Sequence, residues 1–403
     1  MRFEWFVAIR YLREGRAQTA LVLGGTTVGV AVLIFLTALI SGLQRSLVAQ
    51  TLSSQAHVVV KAPERAARPL ATDARAADRV EKVPDRIRSI EQWQQLVATL
   101  PGLPGVVAAT PTAAGAAFAS RGPATKSVAL RGIEPESFAR VIDIAPRMRA
   151  GRFALEGAEA IVGTTLASDL GVGVGDKIRL ATPEGRGDTF TIAGIFDIGN
   201  KEVNARWVFV PLRAAQTMLD VPGGATTIEV KVAEIFDAER VARDIQARHG
   251  LSADSWMELN QQLLVGLRSQ SASSWMIQVL VVLAVALGIA SVLGVSVIQK
   301  SREIGILKAT GTSTGTVQRI FLLEGALVGA AGSVLGAVLG SVMAIAFAGL
   351  ARAPTGDPLF PVDLTPGLYL AASAVAIVTG TLAAWFPASR AARLEPAEVI
   401  RYG

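Results

Sequence analysis

The stretch SREIGILKATGTSTGTVQRIFLLEG, residues 301–325, decides the reading of this chain because it lies between two long apolar runs. It gathers Arg302, Glu303, Lys308 and Arg319 on a segment with helical spacing and interrupting glycines. Charged side chains are expensive inside hydrocarbon. A charged, part-helical element held by membrane spans on both sides therefore lies at the surface, where a soluble partner can reach it.

Working outward, the chain has 403 residues, 51% of them apolar and 18% charged, with a mean hydropathy of +0.44. Soluble chains carry about 25% charged residues, and here the apolar residues are clustered. Four windows reach the length of about 20 apolar residues needed to cross a bilayer: Thr19–Leu43, Trp275–Ile298, Ile320–Leu350 and Leu364–Phe386. The third exceeds a straight crossing, which predicts tilt or a first turn at the interface. Glu324, near its start, fits an interfacial turn at headgroup level. Arg2, Arg10, Arg13 and Arg16 precede the first window as they would a signal peptide. Its apolar run is longer than the roughly 7–15 residues of a signal core, so it is expected to stay as an uncleaved anchor.

Flanking Lys and Arg residues set the orientation. The N-terminal arginines, then Lys300, Arg302, Lys308 and Arg319, then Arg390, Arg393 and Arg401 fall on one side if there are four crossings. The loop 351–363 holds Arg352 beside Asp357 and Asp363. The expected organisation is a cytoplasmic lead-in at 1–18, a first span at 19–43, an outside domain at 44–274 and a second span at 275–298. A cytoplasmic loop at 299–319, a third span at 320–350, an outside loop at 351–363, a fourth span at 364–386 and a cytoplasmic tail at 387–403 complete it. The fold class is thus an α-helical membrane protein of four transmembrane helices, with a large α+β extracytoplasmic domain inserted between helices 1 and 2. Both termini are expected in the cytoplasm of a bacterial inner-membrane protein.

The outside segment reads as folded. HVVVKA (57–62), DKIRLAT (176–182), TFTIAGIF (189–196), RWVFVPL (206–212) and TTIEVKV (226–232) carry the β-branched content of strands. PLRAAQTMLD (211–220) and DAERVARDIQARHG (237–250) read as helices, the second closed by Gly250 as a C-cap. The Ala-, Arg- and Pro-rich run 63–86 reads as a mobile loop, with disorder an equal reading. The chain has no Cys, so this domain must hold together by packing, which its length allows.

Several function classes are excluded. The net charge of +6 is explained mostly by the basic flanks, and no basic–aromatic groove pattern points to nucleic acid. The two histidines, His57 and His249, sit at a strand start and a helix end and suggest no metal site. GVGVGDKIRL (171–180) lacks the hydroxyl residue that a phosphate loop needs after its lysine, since Ile178 follows Lys177. No catalytic residues and no cofactor are expected in this chain. The spans carry a different pattern: Gly325 with Gly329, and Gly332, Gly336 and Gly340, repeat every four residues, as do Gly25 and Gly29. Such spacing lets helix backbones approach closely, either within one bundle or at a seam with a second copy.

The residues of 301–325 resemble the hallmark of permeases of the MacB/LolC–LolE/FtsX type, a branch of the ATP-binding-cassette transporters. AIRYLREGRAQTALVLGGTTVGVAVLIFLTALISGLQ (8–44) is similar to the family's lead-in helix and first span, and PASRAARLEPAEVIRYG (387–403) resembles its closing signature. The resemblance implies that the 301–325 loop is a coupling element docking on an ATPase, with Arg302, Glu303, Gly305, Lys308 and Gly311 in the matching positions. The family's ATPase is separate or fused; with only about eighteen residues before the first span here, a separate ATPase chain, in two copies, binding ATP and Mg, is expected. Membrane lipid, a second permease copy or a sister permease, and a periplasmic adaptor or carrier would be the other partners. Leu36, Ile40, Met276 and Val279 are candidate substrate-lining positions on the first two spans. Extraction of lipoproteins or other amphiphiles leads the functional expectations. Efflux of drugs, peptides or siderophores with an adaptor, and FtsX-like regulation of a cell-wall hydrolase, are the alternatives.

Overall fold

The computed structural model describes residues 2–63, 88–350 and 362–393; the run 63–86 read as a loop lies almost wholly outside them. In chain order α1 (Arg2–Glu14) and α2 (Arg16–Leu52) precede β1 (Val58–Lys61) and α3 (Trp93–Thr99). The hairpin of β2 (Val106–Arg121) and β3 (Ala124–Ile133) leads to α4 (Pro135–Val141), β4 (Met148–Gly151), β5 (Glu159–Gly163) and α5 (Thr164–Leu170). Then come β6 (Lys177–Ala181), β7 (Gly187–Phe196), α6 (Lys201–Arg206), β8 (Trp207–Pro211), α7 (Leu212–Met218) and β9 (Thr227–Val232). After α8 (Ala238–His249), β10 (Ser252–Ser255) and α9 (Trp256–Leu259) run α10 (Gln261–Gln299), α11 (Ser301–Ala309), α12 (Thr314–Leu350) and α13 (Pro366–Ala392). The described residues of Met1–Leu47 and Val265–Gly403 form one compact unit, and those of Val48–Leu264 the other.

In the second unit the strands run β10-β1-β9-β2-β3-β8-β5-β7-β4, and β6 pairs with both β2 and β7. That last pairing closes β2, β3, β8, β5, β7 and β6 into a ring, which removes exposed strand edges. The interior of the ring is lined by Ala113, Ala117, Val128, Leu130, Val162, Ile178, Leu180, Phe190 and Val208. The alternate residues Ile161, Phe196 and Phe209 face a second core around Phe138 of α4. The five strands expected from β-branched runs are present. The β2–β3 hairpin was not foreseen because β2 reads VVAATPTAAGAAFASR, where alanine has poor β propensity. Its alanines at 113, 117 and 119 are buried, and small side chains are what a narrow closed ring can accommodate.

β2 is shared between two sheets. Thr112 pairs with Thr227 of β9, and the next residue, Ala113, pairs with Gly132 of β3. Across this junction Arg131 of β3 forms an ion pair with Glu229 of β9; their side chains are 13% and 5% exposed. The guanidinium lies 4.1 Å from the Trp207 ring centre and 5.7 Å from that of Phe138.

His57 precedes β1 and is buried. Its Nδ1 lies 3.2 Å from the Val232 nitrogen and 3.1 Å from the Val232 carbonyl oxygen. Burial lowers its pKa below the ordinary 6.5, and Lys231 adds to this while the Val232 carbonyl opposes it. The folded state therefore binds fewer protons than the unfolded chain near that pH. Its contribution is present above 6.5 and is lost as pH falls through 6.5 toward the lower folded value. The unfolding temperature of this unit is expected to drop as pH falls through about 6.5, and this drop to flatten in His57→Gln. A profile unchanged by that substitution would count against the role of His57.

In the first unit, α2, α10, α12 and α13 are long and apolar enough to cross a membrane. The glycines of α12 face two different neighbours. A Cβ at Gly325 would strike the Gly380 carbonyl of α13, and one at Gly329 would sit 2.5 Å from the Ala376 carbonyl. Further along, a Cβ at Gly332, Gly336 or Gly340 would meet Thr26, Val30 or Ala31 of α2 at 2.5, 2.6 and 2.9 Å. Gly29 abuts Val285 of α10, whereas Gly25 has open space beside it. Glu324, near the start of α12, is buried, with 3% exposure. With Tyr11, Gln18 and Ser296 it lines a cavity of about 10 Å³.

Candidate functional site

The charged loop read from the sequence folds as the nine-residue helix α11, SREIGILKA. It has an inner and an outer side. Ile304 and Gly305 are buried, and Ile304 joins a core with Val7, Ala8 and Tyr11 of α1, Val297 of α10, Ile320 and Phe321 of α12, and Ala388 and Ala391 of α13. Arg302, Glu303 and Ala309 are exposed, and so is Ile306, at 51%. At helical spacing Arg302, Glu303 and Ile306 share one face. Gly311 ends the helix with φ +97°, a conformation that a side chain would strain. Its N–H donates to the Lys308 carbonyl at 3.1 Å, and the Thr312 N–H to that of Leu307 at 3.1 Å, which satisfies the last-turn carbonyls.

Of the five residues matched to a coupling role, Arg302 and Glu303 are on the exposed face, Gly305 is inside, and Gly311 shapes the exit. Lys308 turns back: its Nζ donates to the Ala392 carbonyl at 2.9 Å, at the end of α13. The Lys300 ammonium at the other end of α11 donates to the Tyr11 carbonyl at 3.0 Å and lies 3.8 Å from the centre of the Tyr11 ring. Burial pushes the Lys300 ammonium below its usual range, against the opposing pull of Glu324, Glu303 and Glu14. Burial also raises the Tyr11 hydroxyl to about 12. Ile306 and Lys300 were missed as site residues because an apolar residue and a flanking lysine look ordinary beside a membrane span.

The helices α2 and α10 run antiparallel, joined by Gln44 to Ser271 at 2.7 Å, Gln278 to Thr37 at 3.0 Å and Gln18 to Gln299 at 2.7 Å. Of the four candidate lining residues, Leu36 and Ile40 are half-buried, while Met276 and Val279 are 64% and 45% exposed. An open apolar groove of about 590 Å³ lies further along the same helix pair, lined by residues such as Leu21, Val28, Val32, Val281 and Val292, and includes none of the four.

The family model for the MacB-like periplasmic core domain matches residues 19–248, and that for the FtsX-like permease C-terminal region matches 275–396. The chain belongs to this permease family. It is 27% identical over 430 residues to the lipoprotein-releasing system transmembrane protein LolC of Xylella fastidiosa (strain 9a5c), covering 98% of each chain. It is 24% identical over 436 residues to LolE of Haemophilus influenzae, covering 99% of each. Its likeness to the macrolide export ATP-binding/permease protein MacB of Rhodospirillum rubrum, 29% identical over 199 residues, spans 47% of this chain and 29% of that one. Family membership makes the chain an ABC transporter permease with four apolar helices and a periplasmic MacB-like domain that contains the sheet.

Proposed function

We propose that this permease passes the ATP-driven motion of a separate ATPase to its periplasmic domain and extracts lipoproteins or other amphiphiles from the bacterial inner membrane. In this reading the sheet unit is inserted between the first and second spans, both termini are cytoplasmic, and the α11 face carrying Arg302, Glu303 and Ile306 docks on the ATPase. The observation that carries the reading is that face: an exposed apolar side chain flanked by opposite charges, on a helix whose other side is built into the bundle. Aromatic or aliphatic anchors ringed by polar residues are the usual form of an interaction surface. The end-to-end likeness to lipoprotein-releasing permeases supports the cargo, since the likeness to MacB is partial.

ATP and Mg would be held by the partner, two copies of which would serve a permease pair made with a second copy or a sister permease. A periplasmic carrier would receive the cargo. Replacing Ile306 with Asp, or Arg302 and Glu303 together with Ala, is expected to lower permease-stimulated ATP turnover at least about tenfold, and to weaken ATPase binding by a similar factor, about 1.4 kcal/mol. Membrane insertion should be unaffected. Turnover equal to that of the unaltered complex sinks the docking assignment. In proteoliposomes, an ATP-dependent release of an acylated lipoprotein is expected, and its absence with intact turnover would remove the cargo assignment alone.

A further inference from the structure

α11 is anchored at both ends, and each anchor is a lysine that reaches the C-terminal turn of a different helix. Lys300 donates to the carbonyl of Tyr11, three residues before the end of α1. Lys308 donates to the carbonyl of Ala392, the last residue of α13. Both carbonyls sit at the negative end of a helix dipole, where a cation is most favoured, and that of Tyr11 also accepts from the Gly15 N–H at 3.3 Å. The Tyr11 ring beneath the Lys300 ammonium adds a cation–π contact. Between the two lysines, Ile304 packs into the core that α1, α12 and α13 share. Desolvation of Lys300 is consistent with a tether held out of water.

We infer that Lys300 and Lys308 clamp α11 to α1 and to the end of α13, so that these three helices move as one body when α11 is pushed. The inference rests on the reading of α11 as the ATPase-facing element, and it assigns to the lead-in helix a part in transmission. A helix coupled only through the short turns at its ends could tilt without moving its neighbours. A helix pinned at both ends to other helices, with an apolar side chain buried between the pins, carries them with it. Lys300 and Lys308 are thus positioning residues, distinct from the exposed docking face.

The chain has no cysteine, so spin labels can be placed without background. In the full complex with its ATPase in nanodiscs, labels at Ile9→Cys on α1 and Ala309→Cys on α11 should give a narrow distance that is the same with and without ATP. Lys300→Gln and Lys308→Gln should broaden that distance even without the ATPase. In the complex they should lower stimulated ATP turnover about fivefold or more, the lower range for coupling between sites, with the KM for ATP unchanged and the ATPase still co-purifying. Lys300→Arg, which keeps a cation over the ring, should restore turnover. A distance that shifts with nucleotide in the unaltered chain overturns the clamp, as do glutamine variants with a narrow distance and full turnover. If the unaltered chain neither captures nor stimulates the ATPase, the docking reading fails, and the clamp still stands or falls on the distance in the glutamine variants.

Discussion

Replacing Glu229 with alanine is expected to lower the unfolding free energy by about 3–5 kcal/mol, because Arg131 would remain as a buried charge without its counterion. The two side chains are among the least exposed charged groups described, at 13% and 5%. The pair also lies where β2 passes from β9 to β3, so the penalty falls on the junction between the four-stranded sheet and the closed ring. Equilibrium unfolding followed by tryptophan fluorescence measures the effect, since Trp207 lies directly against the guanidinium. The double variant Arg131→Met with Glu229→Leu should recover most of the loss, as exchange of buried ion pairs for apolar residues does elsewhere. A loss below about 1 kcal/mol, the range of exposed pairs, would show that the carboxylate is not needed to hold the junction.

The second large effect is expected in the helical unit. Gly329→Val should destabilise the contact between α12 and α13 by about 1–3 kcal/mol, the usual cost of overpacking. The first added carbon would lie 2.5 Å from the Ala376 carbonyl oxygen and 2.9 Å from the Ile377 Cα. Both are backbone atoms, so no side chain can swing aside. Thermal unfolding in detergent and the yield of monodisperse protein read the change. Gly25→Ala is the control: nothing lies within 4 Å of its Cβ position, and alanine is the better helix former. Equal losses for the two variants would refute the assignment of Gly329 to a close backbone contact.

These two glycines have the same spacing signature and different surroundings, which marks the limit of what spacing conveys. Four-residue glycine ladders at 325–329 and 332–340 are visible in the sequence, but that the first meets α13 and the second α2 depends on how the helices cross. The same holds for α11. Its charges and Gly311 were legible, and the helix was expected, yet Lys308 could not be told from a partner-facing lysine until the end of α13 was seen beside it. That Glu324 is covered by its neighbours was not legible either, because sequence position measures depth along a helix and not which neighbour covers it. In the sheet unit, strands rich in Val, Ile and Thr were recognisable, while the alanine-rich β2 was not, because its alanines are favoured by the narrow interior of a ring that exists only once β6 has closed it.

The sequence by itself determined the four apolar helices, the charged stretch at 301–325, the strands rich in Val, Ile and Thr, and the family resemblance. The first three follow from local composition, since hydrocarbon excludes charge and β-branched runs favour extended backbone, and the resemblance rests on the motifs at 8–44, 301–325 and 387–403. Only the tertiary structure decided which face of α11 is open, which carbonyls hold its two lysines, and how β2 joins two sheets through a buried Arg131–Glu229 pair. Those features depend on contacts between residues far apart in the chain, whose burial and hydrogen bonds have no counterpart in any local run of sequence.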